Sequence, residues 1–247
     1  MRTVLSLNRK WSFSKMADTI PTAIDPKWDF VNIPHCWNAI DGQDGDNDYY
    51  RGTAYYAKTI NKAALPTADR YYLELRGTNS SADVYLNGKA LAHHDGGYST
   101  WRVDLTDHLE VTNLLVVAVD NTANETVYPQ MADFTFYGGM YRDVNLICVS
   151  ESHFDLDCYG GPGLAITPTV EGSDATVKVD TYVTNSKMGQ TVRVTIYDKD
   201  ENVIASVESA DTSVELTIPN VHLWHGRKDP YLYCCEAELM EDGEVID

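Results

Sequence analysis

The sequence contains no run of about 18 apolar residues, the least that a membrane-spanning helix requires. It is also poor in positive charge: 19 Lys and Arg stand against 37 Asp and Glu, a net charge of −18. Such a surface repels phosphate backbones and anionic lipid, which argues against a nucleic-acid or membrane partner. The first residues carry Arg2, Arg9 and Lys10 but no apolar core of signal-peptide length, so the chain reads as cytoplasmic. The five cysteines, Cys36, Cys148, Cys158, Cys234 and Cys235, are odd in number and irregularly spaced. That excludes a disulfide framework and a zinc pattern, and reduced thiols are the expectation.

Catalytic signatures are missing too. There is no Gly-x-Ser-x-Gly elbow, no phosphate-cradling glycine loop and no His-Glu-x-x-His. The pair His93-His94 beside Asp95 is a poor metal site, because consecutive side chains of a strand diverge. Gly96-Gly97 and Gly138-Gly139 lack a following helical pattern, so they read as turns or points of close approach.

Helical periodicity is nearly absent, and what is present is alternation. Val84 and Leu86 flank Tyr85 and lead into Asn87-Gly88, a strong hairpin signal because both turn positions need positive φ. Val116–Asp120 and Asp143–Val149 read as strands, the first a nearly unbroken apolar run suited to a buried sheet. After Ser150 the texture changes. A turn-rich stretch, Cys158–Gly163, precedes alternating runs at Val177/Val179, Val192/Val194/Ile196 and Val214/Leu216/Ile218, with Asp198–Asn202 as a hairpin loop.

These patterns predict an all-β protein: a jelly-roll β-sandwich over residues 1–150, then an immunoglobulin-like β-sandwich over residues 151–247. The last run, Tyr231–Met240, ends in the turn Glu241-Asp242-Gly243 with four residues beyond it. A returning strand is expected there to cover the edge, so the second sandwich reads as cut short.

Two loops hold the chemistry. One runs from Pro34-His35-Cys36-Trp37-Asn38 through the polar stretch Gly42–Asp48 to Tyr49, Tyr50 and Arg51; the other is Tyr128–Tyr137. Aromatic faces and carboxylates or amides in such loops suit a sugar, whose rings offer C–H faces and hydroxyl donors. Equally, Trp37, Phe134 and Tyr137 could cap a core and Asp133 form a turn.

Ordered along the chain, Ile33–Asn38, Tyr50–Tyr56, Leu86–Lys89, Gly96–Tyr98, the stretch Val127–Val144, and Leu223-Trp224 with Pro230–Tyr233 resemble glycoside hydrolase family 2, and within it the β-galactosidases. The resemblance covers nearly the whole chain. It implies a sugar-binding jelly roll, an immunoglobulin-like module and, beyond them, a TIM barrel with both catalytic glutamates. No barrel motif matches here, so no catalytic residue is assigned.

By resemblance, Asp133, nine residues before Arg142, is the aspartate that contacts galactose hydroxyls and in some members a sodium ion. Sodium or magnesium is the cofactor implied for the full-length enzyme. Asp48 and Arg51 are further substrate-binding candidates, and Arg142 with Asp143 would form a pair that fixes the Asp133 loop. The implied partners are a terminal β-galactoside, the chain's own C-terminal barrel and, in the full-length protein, further copies of itself. β-Glucuronidase or β-mannosidase activity is the alternative within the family, and a stand-alone carbohydrate-binding or adhesin module the alternative outside it.

Overall fold

The computed structural model describes residues 1–15, 19–41, 49–128, 130 and 135–247. Among these the secondary structure is β, with two short 3₁₀ turns at Lys62–Ala64 and Thr106–His108. No described helix is long and apolar enough to cross a membrane. The chain divides into two compact units, Thr3–Cys148 and Val149–Asp247, the latter joined by Met1–Arg2.

The first unit contains β1 (Thr3–Ser6), β2 (Trp11–Ser14), β3 (Asp29–Val31), β4 (Thr53–Asn61), β5 (Arg70–Leu75), β6 (Thr78–Asn79), β7 (Ser81–Leu86), β8 (Lys89–Asp95), β9 (Trp101–Asp104), β10 (Thr112–Asp120), β11 (Gly139–Met140) and β12 (Val144–Val149). They form a six-stranded sheet, β3-β2-β4-β10-β7-β8, a four-stranded sheet, β1-β12-β5-β9, and the small ladder β11-β6. Alternate residues of both larger sheets, among them Tyr56, Val84, Leu115 and Val117 from one and Leu73, Leu75 and Leu146 from the other, close on one core.

Strands β4 and β10 are covered on their second face as well. Tyr55, Ala57, Val116 and Ala118 are buried there beneath Ile20, Ile24 and Trp28. Burial on both faces is why Leu114–Val119 reads as a continuous apolar run rather than an alternating one. The turn between β7 and β8 has Asn87 at φ 53° and Gly88 at φ 80°, both left-handed as a two-residue hairpin demands.

The second unit contains β13 (His153–Phe154), β14 (Leu164–Glu171), β15 (Asp174–Thr181), β16 (Val183–Thr184), β17 (Thr191–Tyr197), β18 (Val203–Ser209), β19 (Ser213–Ile218), β20 (Cys234–Glu241) and β21 (Glu244–Val245). Sheets β14-β15-β19 and β18-β17-β20-β21 enclose Val177, Val179, Val194, Ile196, Leu216, Ile218 and Leu239. Along β15, exposed Lys178 separates buried Val177 from Val179, the two-residue period that identified the strand.

Among the described residues, one carboxylate is buried on the outer face of the four-stranded sheet, between the core residues Leu73 and Leu75. Glu74, 4% exposed, accepts from Arg102 Nη2 at 2.7 Å, from Arg76 Nε at 3.0 Å and from Asn145 Nδ2 at 3.0 Å. Burial alone would raise its pKa; the donors from Asn145, Arg102 and Arg76 outweigh that and hold it below the usual carboxylate value. The Arg193–Glu238 pair of the second unit has the same 2.7 Å separation but is open to solvent. Arg102→Ala is therefore expected to destabilise the first unit by about 3 kcal/mol, the low end of the cost of breaking a buried pair, since Arg76 and Asn145 remain. Arg193→Ala should barely move the second unit's unfolding midpoint. Equal shifts in a denaturant titration would contradict this account.

Candidate functional site

At one end of the first sandwich, the loops after Ile33 and after Asp120 are tied together by two asparagines with no exposed surface, Asn38 and Asn121. Asn38 Oδ1 accepts from the Gly138 N–H at 2.7 Å and from Asn121 Nδ2 at 3.3 Å. Its Nδ2 donates to Asp41 Oδ2 at 2.9 Å and to the Tyr50 carbonyl at 3.0 Å. Asn121 Oδ1 accepts from the Gly52 N–H at 2.9 Å, and its Nδ2 also reaches the Tyr50 and Phe136 carbonyls at 3.2 and 3.4 Å. Asp41 completes the knot by accepting from the Tyr50 N–H at 3.0 Å, and that bond holds its carboxyl below the usual range.

The glycines allow this closeness. A Cβ at Gly138 would run into the Trp37 indole, and one at Gly139, at φ 138°, into the His35 carbonyl. Both are points of close approach, one of the two readings that the sequence offered. Trp37, 7% exposed, stacks at 6.2 Å on Phe13, which in turn meets His35 at 4.7 Å. The His35 Nδ1 lies 2.8 Å from the Tyr56 hydroxyl, and burial lowers the pKa of its ring. Beside these rings lies an open depression of about 510 Å³ bordered by Lys15, Asp29, Phe30, Trp37, Ile40 and Asp41.

Arg51 spans the two loops. Its Nε donates to the Asn121 carbonyl at 3.2 Å, its Nη2 to Gln130 Oε1 at 3.0 Å, and its guanidinium lies 5.2 Å from the Tyr49 ring centre. Of the sequence-derived candidates, Arg51 is thus placed against the loop that carries Asp133. Asp133 and Asp48, together with Gly42–Asp48 and Phe134, lie outside the described residues. Among the described residues no group of three or more His, Cys, Asp or Glu converges as a metal site would.

The expected Arg142–Asp143 pair does not form among the described residues. Arg142 Nη1 donates to the Tyr98 carbonyl at 2.8 Å, while Asp143 Oδ1 accepts from Asn8 Nδ2 at 2.8 Å. Neighbours in a chain entering a strand point apart, so each ties a different segment. Sequence reasoning passed over Asn121 and took Asn38 only as one member of the first loop, not as its brace. An asparagine in a loop is ordinary turn chemistry, and nothing local distinguishes one that is fully buried. Trp37 Nε1 and Gln130 Nε2, one in each loop, are buried without a partner among the described residues. Such exceptions are few in a native structure and gather at sites under functional constraint.

The stem of the second loop is pinned to β7 and β8. Asp95 accepts from Ser81 Oγ at 2.6 Å, Thr126 Oγ1 at 2.5 Å and Asn124 Nδ2 at 3.0 Å. His93 lies between Asp95, 3.2 Å from its Nε2, and Asp83, 2.8 Å from its Nδ1. The hydroxyls of Ser81 and Thr126 bring Asp95 down to about 2, and the bond to Asp83 raises His93 above 6.5. The aspartate's contribution is present above its ordinary value of 3.8 and is lost as pH falls toward 2. The histidine's contribution is present below 6.5 and is lost as pH rises through its raised value. In an NMR titration the Asn124 and Thr126 amides should follow His93 with an inflection above 6.5, absent in His93→Gln. An inflection at or below 6.5 would contradict the pinning.

Comparison with known proteins agrees with this architecture. Residues 45–145 match the glycosyl hydrolase 2 galactose-binding domain-like family and residues 162–247 match glycosyl hydrolases family 2. A β-glucuronidase of Bacteroides fragilis is 31% identical over 230 residues, covering 88% of this chain and 33% of its own length. The crystal structure of an FMN-binding β-glucuronidase from Facaelibacterium prausnitzii superposes on the whole chain with a TM-score of 0.89 and 38% identity, over 38% of its own length. A putative β-galactosidase from Bacteroides fragilis does so with a TM-score of 0.86 and 33% identity, over 40% of its length. The chain thus spans about a third of the length of the curated relatives it matches. With a matched domain of that family in each of its two units, the chain belongs to glycosyl hydrolase family 2.

Proposed function

We propose that this chain is the front part of a retaining glycosidase that removes a terminal β-linked sugar. Its first unit supplies one wall of the sugar pocket, and a barrel carrying two glutamates completes it. The observation that carries this reading is the cross-bracing of the two candidate loops by Asn38, Asn121 and Arg51. Loops built for ligand contact have to be held still by buried polar bonds, so that binding costs little further ordering. Hydrolysis with retention needs two carboxyls about 5–5.5 Å apart, one as nucleophile and one as acid/base. On this reading both lie in the barrel, and the two units here bind and orient without performing bond cleavage.

For the sugar, a β-glucuronide is the first reading, because the Bacteroides fragilis and Facaelibacterium prausnitzii relatives are named for it. A β-galactoside is the second, favoured by the likeness to the putative β-galactosidase. In either case Asp133 accepts from sugar hydroxyls, and Arg51 positions its loop through Gln130.

In a protein of the relatives' full length, Asp133→Ala should lower kcat/KM by about 10- to 150-fold, the value of one charge-assisted hydrogen bond. Paired nitrophenyl β-glucuronide and β-galactoside assays read the effect and decide the sugar together. Unchanged kcat/KM on the preferred substrate would remove Asp133 from the site. Activity on neither of these, nor on the nitrophenyl β-mannoside, would overturn the glycosidase reading.

A further inference from the structure

The turn that joins β8 to β9 presents an aromatic ring to solvent and holds it still. Tyr98 is 55% exposed, and its ring stacks on Tyr128 with centres 4.8 Å apart and planes 26° apart. Tyr128 therefore covers one face of Tyr98, and the exposed area belongs to the other face and the rim. Tyr128 is backed in turn by Phe136, stacked at 6.1 Å.

Side chains fix the backbone beneath this ring. The Gly97 carbonyl accepts from the Tyr141 hydroxyl, and the Tyr98 carbonyl accepts from Arg142 Nη1 at 2.8 Å. A Cβ at Gly97 would run into Asn79 Oδ1 and the Tyr128 hydroxyl, so the turn sits close against both. The Tyr128 hydroxyl donates to Asn79 Oδ1, and Asn79 Nδ2 donates to the Tyr137 carbonyl at 2.5 Å. An exposed tyrosine ordinarily keeps its freedom; this one loses it to two bonds on consecutive carbonyls and a stacked partner. That is how a binding surface is prepared, because little ordering is left for the ligand to impose. The Arg142 guanidinium lies 5.3 Å from the Tyr141 ring centre. Arg142 is exposed and, among the described residues, enters no ion pair, so it keeps donors beyond the one used on Tyr98.

A flat face with N–H donors beside it suits a pyranose ring. The sugar's C–H groups lie on the tyrosine, and a hydroxyl accepts from the guanidinium. The place in the fold is also apt. Tyr128 opens the second candidate loop, and Gln130, two residues further on, is the residue that Arg51 holds. We propose that Tyr98, with Arg142 beside it, is a stacking platform for the second sugar of the substrate, the one that departs when the terminal sugar is cut. Saccharide leaving groups are thereby favoured over small alcohols. Which sugar departs rests on the proposed glycosidase function, whereas the platform for a saccharide rests on this turn alone.

The test compares Tyr98→Ala and Tyr98→Phe with the unaltered protein at the relatives' full length. The substrates are lactose and its counterparts with glucuronic acid or mannose in place of galactose, set against the methyl β-glycosides of the same sugars. On the disaccharide that is cleaved, kcat/KM should fall about 3- to 10-fold in Tyr98→Ala, the value of one aromatic stack. Tyr98→Phe keeps the stack and should leave it unchanged, and neither variant should alter kcat/KM on the methyl glycoside. An equal fall on the methyl glycoside overturns the inference, because Tyr98 would then serve the terminal sugar or the loop. So does an unchanged disaccharide rate in Tyr98→Ala, including one accompanied by a fall on nitrophenyl glycosides, which would make the site one for aryl groups. If no glycoside is cleaved, the glycosidase reading fails and an NMR titration of the 247-residue chain with the same disaccharides decides the platform. Saturating shifts of the Gly97, Tyr98 and Arg142 amides, lost in Tyr98→Ala, uphold the saccharide platform, and flat titrations overturn it.

Discussion

The contact between Asn38 and Asn121, made at 3.3 Å with neither side chain exposed, fixes the end of the first sandwich. Each amide bonds through both its oxygen and its nitrogen, and their partners are backbone groups at Tyr50, Gly52, Phe136 and Gly138. Such loops cannot satisfy their own peptide groups as a ladder does, and an orphaned buried peptide costs about 1–3 kcal/mol. Two amides, one in the loop between β3 and β4 and one just after β10, answer several of these demands at once. Arg51 then extends the brace to Gln130, at the start of the segment that includes Asp133.

The two units solve the edge problem of β-sheets differently. In the first, the central strands β4 and β10 are covered on both faces, and the outer strand β8 carries charged and polar side chains through His93 and Asp95. In the second, the edge of β20 is only begun by β21, and apolar side chains remain uncovered beside it. An edge left open beside an apolar groove invites pairing.

Much of this was legible in the sequence, for physical reasons. Alternation at Val177/Lys178/Val179 marks a strand with one wet face, and Asn87-Gly88 marks a turn that only left-handed residues can make. The two loops stood out by their aromatic and carboxylate content, and among the described residues the structure brings Asn38 and Arg51 of one against Gly138 and Gln130 of the other. The brace itself did not stand out, because the burial of Asn38 and Asn121 depends on contacts between residues up to 100 positions apart. The expected Arg142–Asp143 pair failed because adjacent side chains diverge, which sequence proximity conceals.

The most direct measurement of the brace is amide exchange at Gly52 and Gly138 in Asn121→Ala, read beside the sugar affinity of the same variant at full length. The account predicts that both amides lose protection while β10 amides such as Val117 keep theirs, and that affinity falls. Unchanged protection at Gly52 and Gly138, or open loops with affinity intact, would contradict it.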